Sequence, residues 1–327
     1  MEKTVIMKKT TIRELAKICG TAPSTVSRAL NNSGSVDEDT RQKIVRAAEK
    51  YHYRKLKNSA KRWVFIADNN DLKSYYESEL MISLSKEIIN AGDTYVIISS
   101  LQIDMIHEFF FDGVFVFSQL NMELLKKINP LPVIAFNNYS LHKNRLWSVS
   151  SDDEGMIKEA VNYFYSKGHR NIGLWIWPDT HNFSDIRREK FFRQAITGLG
   201  LKPLVYIWGA GELEASEFSQ MVRDGVTAML LPGEFNFRQL QLMLKTTKFS
   251  VPGKYSLIML ENRRFTPFTE PPLTTFEQDL AGMSRHALHL AHQIAGGATG
   301  MLRNIKVPYL FHERASVADI RKSPVLS

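Results

Sequence analysis

The sequence predicts an α/β protein: a three-helix head, then a body of two lobes, each with a parallel sheet covered by helices. Three observations carry this. Residues 11–51 show three short helical periods broken by Gly20 and by the run Asn31–Asn32–Ser33–Gly34. From Trp63 onward, apolar β runs alternate with amphipathic helical stretches, the pattern of strands joined by crossover helices. That pattern restarts after about Val149, so the body holds two such units in tandem.

In the head, Thr11 followed by Glu14 makes a capping box, and Ile12, Leu15, Ala16 and Ile18 supply an apolar face. Gly20 provides the left-handed stop and Pro23 suits the first turn of the next helix, which runs to about Leu30. Val26, Ala29 and Leu30 are expected inside, with Ser24, Thr25, Ser27 and Arg28 largely outside. A third helix runs from Asp37–Thr40 to Tyr51, its acidic first turn matching the helix dipole. Residues 52–62, HYRKLKNSAKR, read as a basic linker.

The body alternates. Strands are expected over 63–67, 94–99, 113–117, 133–136, 172–175, 204–208, 228–231 and 256–260, with short β runs near Leu310–Phe311. Helices are expected over 76–91, 105–111, 122–128, 155–167, 183–198, 212–222, 237–244 and 280–294. A cleft between two such lobes, at the carboxyl ends of the strands, is a common seat for small ligands.

Charge locates a partner. Residues 1–62 carry 15 Lys and Arg against 6 Asp and Glu, whereas the rest carries 27 against 28. All of the excess positive charge is therefore in the first fifth of the chain, which points that end at a polyanion, nucleic acid above all. One cysteine, Cys19, allows no internal disulfide and no cysteine-based metal site. With neither an export signal nor a membrane-length apolar run, a cytoplasmic protein is expected.

Nothing in the sequence argues for catalysis. Gly209-Ala210-Gly211 follows a β run but Glu214 stands where a third glycine would complete a dinucleotide loop, so no cofactor is expected. His286, His289 and His292 recur on one helix at a spacing that drifts around it, so no metal is expected; a subunit contact or an exposed face fits better.

The chain resembles the LacI/GalR family of transcriptional repressors. Thr11-Ile12, Ala16, Gly20, Ser24-Thr25-Val26-Ser27-Arg28, Leu30-Asn31 and Thr40-Arg41 carry the resemblance in the head. In the body it rests on Asp112-Gly113, Pro132-Val133, Gly168-His169-Arg170, Ile172-Gly173, Pro271-Pro272-Leu273-Thr274-Thr275 and Gln278. The resemblance implies a homodimer whose heads bind the halves of a near-palindromic operator in double-stranded DNA. Pro23, Ser24 and Arg28 would face bases, Arg28 forking onto guanine, while Thr11, Thr25, Ser27 and Asn31 would hold phosphates, with Lys57 and Lys61 as further linker contacts. It implies a body like a periplasmic sugar-binding protein, crossing between lobes near Val149, Phe276 and Val307. The expected division is 1–53 head, 54–62 hinge, 63–148 with 277–306 one lobe, and 149–276 with 307–327 the other.

A small effector, a sugar, sugar acid or sugar phosphate, would contact Ser74, Tyr76, Asn137, Arg188, Gly233, Glu261 and Gln278. The chain departs from the family pattern at Asn137, where a carboxylate is usual, at Glu261, where Asp is usual, and at Phe191, where a glycine is common. The linker is shorter than usual, and Leu56 is its one leucine. Without leucine heptads after Ser316, a dimer is expected and not a coiled-coil tetramer. The rival readings are a transport-type binding protein with no DNA role, an α/β enzyme, and a regulator that does not respond to a sugar.

Overall fold

In the computed structural model the described residues are 10–30, 36–51, 53, 60–67, 74–107, 111–117, 122–137, 146–176, 183–207, 220–233 and 250–322. The head consists of α1 (Ile12–Cys19), α2 (Pro23–Leu30) and α3 (Glu38–Lys50). Its core is small: Leu15, Ala16, Cys19, Val26, Ala29, Ile44 and Ala48, with Leu30 and Tyr53 packed at the margin. The side chain of Thr11 accepts the N–H of Glu14, and the Glu14 carboxylate accepts the N–H of Thr11 at 2.8 Å, completing the capping box. Gly20 is left-handed at φ 66°, and the N–H groups of Gly20 and Thr21 return to the carbonyls of Lys17 and Ala16, so α1 ends where the sequence stops it.

The body holds two six-stranded sheets. The first contains β1 (Arg62–Ile66), β2 (Thr94–Ile98), β3 (Gly113–Val116), β4 (Val133–Phe136), β5 (Leu146–Ser151) and β11 (Asn304–Val307). They lie in the order β11-β5-β4-β3-β1-β2, all parallel. The second contains β6 (Ile172–Ile176), β7 (Leu204–Ile207), β8 (Ala228–Leu231), β9 (Ser256–Leu260), β10 (Thr274–Gln278) and β12 (Tyr309–His312). Its order is β12-β10-β9-β8-β6-β7, with β12 antiparallel to β10 and every other pair parallel.

Strand alternation divides the cores. On β1, Trp63 and Phe65 face one side with α4 (Tyr75–Asn90) and α8 (Leu280–Ala295), while Val64 and Ile66 face the other with Ile103, Ile106 and α5 (Met122–Lys127). On β6, Ile172, Leu174 and Ile176 pack under α6 (Asp153–Ser166) and α7 (Phe183–Gly198), and Trp175 points to the opposite core with Tyr255 and Leu273. The chain passes between the sheets three times: after β5, after β10 and after β11.

Three strands were not among the sequence expectations: β5, β10 and β11. β5 (LWSVSS) and β10 (TTFEQ) lack an apolar run, yet both are largely buried, and hydroxyls on both find partners within the fold, although that of Ser148 does not. Ser150 Oγ donates to Asn304 Oδ1 at 2.7 Å, and Thr275 Oγ1 donates to Glu261. The helix expected over 105–111 is instead a 3-10 segment, Ser100–His107, kinked at Gln102. There Ser99 Oγ accepts the N–H of Leu101, a local bond that competes with α-helical pairing. The helix expected over 237–244 and Gly209-Ala210-Gly211 lie outside the described residues, as does most of the helix expected over 212–222.

Candidate nucleic-acid interface and ligand cleft

On α2, the inward positions Val26 and Ala29 leave Pro23, Ser24 and Arg28 exposed on one side, with Thr25 and Ser27 half-buried. Arg28 lies back along its helix, its Nε donating to the carbonyl of Ser24 at 3.3 Å, and its guanidinium stays in solvent. Arg41 on α3 donates to the carbonyl of Ala29 at 3.2 Å, which satisfies the end of α2 and fixes it against α3. Asp37 caps α3 by accepting the N–H of Thr40 at 2.8 Å, and that bond, with the Thr40 hydroxyl, holds the Asp37 carboxyl below its ordinary value.

The outlying DNA-contact expectations fare differently. Thr11 is exposed, but its hydroxyl is engaged with Glu14. Lys61 Nζ lies 3.5 Å from Asp112, turned toward the body. Asn31 and Lys57 lie outside the described residues.

Between the lobes is a cleft whose empty space, counted together with the part open to solvent, is about 520 Å³. Tyr75 and Tyr76, at the start of α4, with Leu280 at the start of α8, form its wall from the first lobe. Gly233 after β8, Glu261 and Asn262 after β9, Phe265, and Phe276 to Gln278 on β10 form the other. Of the seven expected contacts, Tyr76, Gly233, Glu261 and Gln278 line this cleft. The sequence reading missed Tyr75, Asn262, Phe265 and Glu277 as lining residues. The available signal was position, since Asn262 and Phe265 follow the carboxyl end of β9, where such folds place ligands.

Asn137 stands one step behind the lining. It adopts φ 47°, a left-handed conformation that Asn tolerates better than most residues. Its Nδ2 donates to the Tyr76 hydroxyl at 2.7 Å, and its Oδ1 accepts the N–H of Ser151 at 2.9 Å. Gln278 Nε2 then donates to Ser151 Oγ at 2.8 Å. A continuous polar chain thus joins Tyr76, Asn137, Ser151 and Gln278 across two of the passages between lobes. An amide suits position 137 because it both donates and accepts there, which a carboxylate cannot do.

Ser74, Glu261 and Arg188 depart from the expected picture. Ser74 caps α4, its side chain accepting the N–H of Glu77. The Glu261 carboxylate is 2% exposed and turned inward: Arg314 donates to both oxygens, at 2.8 and 3.3 Å, and Thr266 and Thr275 donate as well. Burial would raise its pKa, but these bonds hold the carboxyl below its ordinary value. Arg188 is not among the lining residues. It is 7% exposed, with Nε on Asp153 at 3.1 Å, Nη1 on Asp185 at 3.4 Å and Nη2 on the Tyr309 hydroxyl at 3.4 Å. Burial opposes its charge, yet the Asp153 and Asp185 carboxylates keep its pKa raised. The physical reason for its placement is that a guanidinium with two buried carboxylates in reach is better satisfied inside the lobe than at the cleft.

Three contacts made by Arg263 and Arg264 bridge the cleft mouth. Arg264 pairs with Glu79 at 2.7 Å and lies over the Tyr75 ring, and the Tyr75 hydroxyl accepts the N–H of Arg263 at 3.4 Å. Arg263 in turn pairs with Glu277, whose second oxygen meets His312 at 2.7 Å.

Comparison with known proteins decides what these two sites belong to. Residues 11–55 match the lacI family of bacterial regulatory proteins, and residues 161–317 match the periplasmic binding protein-like domain. The chain belongs to the lacI family of bacterial regulatory proteins. This LacI-family protein is 26% identical over 302 residues to the HTH-type transcriptional regulator GanR of Bacillus subtilis (strain 168), covering 86% of this chain and 91% of GanR. Among solved structures, it is similar to the lac repressor dimer bound to operator and the anti-inducer ONPF, with a TM-score of 0.65, 18% identity, and coverage of 95% and 100% of the two chains. It is likewise similar to the transcriptional regulator CelR–cellobiose complex, with a TM-score of 0.64, 17% identity, and coverage of 94% and 100%. The LacI-family chain is thus a DNA-binding transcriptional regulator whose family match at 11–55 contains the helix pair α1 and α2. Among the described residues, no helix is long and apolar enough to cross a membrane.

Proposed function

We propose that this protein is a cytoplasmic repressor that binds a near-palindromic operator as a homodimer and is controlled by a sugar or sugar derivative held between its lobes. The observation that carries the DNA half is the solvent-facing row Pro23, Ser24 and Arg28 on a helix braced by Arg41. In this reading Arg28 forks onto guanine O6 and N7, Ser24 reaches a base edge or phosphate, and Thr11, Thr25, Ser27 and Asn31 hold phosphates.

The ligand half rests on cleft chemistry. Tyr75, Tyr76, Phe265 and Phe276 offer aromatic faces for the C–H face of a sugar ring, and Asn262 and Gln278 offer amides that donate and accept to hydroxyls. The carboxylates of Glu261 and Glu277 already have cationic partners, which favours a ligand that meets the cleft through hydroxyls. Tyr76, Gly233 and Gln278 act as direct contacts in this reading, Asn137 orients Tyr76, and Glu261 and Arg188 hold the second lobe's shape. The cleft binds and does not transform its ligand.

The dimer contact is assigned to sheet edges that have no further strand among the described residues. β2 and β7 are edge strands, and Val96, Ile97, Leu101, Met105, Ile207 and Val222 expose apolar surface on or beside them. Leu101 is 92% exposed, and it is the group of exposed apolar residues, not any one of them, that marks the edge as a contact surface. A dimer formed there brings two linkers together, because β2 begins beside the linker end at Arg62.

The test of the ligand half is a thermal-shift screen of sugars, sugar acids and sugar phosphates. A ligand at a hundred times its Kd stabilises the fold by about 2.7 kcal/mol. Gln278→Ala or Tyr76→Ala should reduce the shift of whichever compound scores. A melting temperature unmoved by every compound in the panel would reject the sugar reading and leave the DNA reading standing.

A further inference from the structure

The root of the linker is held by a carboxylate that neither the reading helix nor the cleft uses. Asp93, in the turn between α4 and β2, is 7% exposed. Its Oδ1 accepts the backbone N–H of Lys61 at 2.7 Å. Its Oδ2 accepts the indole N–H of Trp63 at 2.8 Å and meets Nε2 of His292 at 2.7 Å. The Trp63 and His292 rings lie 5.5 Å apart.

Lys61 immediately precedes β1, so it is where the chain arriving from the head is fixed to the body. A strand's first N–H needs no buried acid, because water can satisfy it. A buried carboxylate is costly unless several donors converge on it. Here they come from the linker, from β1 and from α8. Neighbouring bonds close the same clasp: the N–H of Thr94 donates to the Lys61 carbonyl at 2.9 Å, and the N–H of Arg62 donates to Asp112 at 3.0 Å. His292 lies in the last turn of α8, whose first residue, Leu280, lines the cleft. The clasp therefore ties the linker root both to the edge strand β2 and to a helix that starts at the ligand site.

We propose that Asp93 is a positioning residue: with His292 it fixes the direction in which the linker leaves the body, and so the spacing at which two heads engage the half-sites of an operator. This rests on the two-headed binding proposed above. For tethered heads, the second binding event depends on effective concentration at the second half-site, and a stiff mount concentrates it at one spacing while a loose mount spreads it. The base preference of each head, set by α2, is untouched.

The test uses the full-length protein and a pool of randomised duplexes. Wild type, Asp93→Asn and His292→Leu each select binding sequences, and the half-site sequence and the spread of half-site spacings are read together with melting temperatures. Wild type is expected to select one spacing. Both variants are expected to select the same half-site, with preference for that spacing over one a base pair longer reduced by about tenfold. A folded Asp93→Asn protein that keeps the wild-type spacing preference overturns the proposal. So does loss of half-site preference along with spacing, because then the residue acts on the head and not on its mount. His292 is 38% exposed, so its leucine variant decides the matter alone if Asp93→Asn fails to fold. Unpaired half-sites selected by wild type would refute two-headed binding itself and the clasp with it, a result distinct from unchanged spacing in the variants.

Discussion

Arg188 and Glu261 show what a single residue's sequence position conceals. Both belong to ligand positions by resemblance, and both are turned into the second lobe by partners far along the chain: Asp153 lies 35 residues from Arg188, and Arg314 lies 53 residues from Glu261. No local pattern reveals such partners. The exposed face of α2 was legible because it depends on helical period alone, and Pro23, Ser24 and Arg28 stand where that period puts them. Two outcomes follow at this scale. Arg188→Ala leaves two carboxylates buried without their cation and should cost about 3–5 kcal/mol in chemical denaturation. Glu261 has a depressed carboxyl pKa, so its contribution is fully present above the ordinary value of 4.5 and is lost as pH falls through the lower folded value. Glu261→Gln should therefore lower stability by about 2 kcal/mol at neutral pH and narrow its gap to wild type as the pH falls below 4.5. A constant gap from pH 7 to pH 3 would show that the carboxylate's charge is irrelevant.

Among elements, the head helices and most body strands were readable because caps and apolar runs are local. β5, β10 and the short edge strand β11 were not; in β5 and β10 a run rich in Ser and Thr looks like a loop until hydroxyls such as those of Ser150 and Thr275 find Asn304 and Glu261. The 3-10 segment at Ser100–His107 was read as a helix lying further along because its apolar residues suit either form. The capping of α1 gives a direct check. Thr11→Ala should destabilise the head by about 1 kcal/mol through loss of the box. Gly20→Ala should cost a similar amount, about 1–2 kcal/mol, because φ 66° is strained for a residue with a Cβ even though space is open there. Amide exchange in α1 and α2 should rise in both variants and stay unchanged in β8 and β9.

For the whole molecule, the alternation of strands and helices was enough to foresee two lobes behind a basic head. How the lobes meet was not foreseeable, because the bridge from Arg264 to Glu79 joins residues 185 positions apart. If sheet-edge pairing builds the dimer, a charge in its apolar patch should break it: Leu101→Asp should shift the protein from dimer to monomer in light scattering. The charge carried by the head also sets a salt response. A protein making six to ten phosphate contacts loses about 10³–10⁵ in affinity between 50 and 200 mM salt.

Sequence reading by the head is tested most directly by a mobility-shift titration at moderate salt, comparing wild type with Arg28→Ala on a selected operator and on a scrambled duplex of equal length. The expected result is that the variant keeps its weak affinity for the scrambled duplex while its preference for the operator falls by about 1–3 kcal/mol, roughly 5- to 150-fold for each head. Equal operator preference in the two proteins would contradict the assignment of α2 as the helix that reads DNA through Arg28.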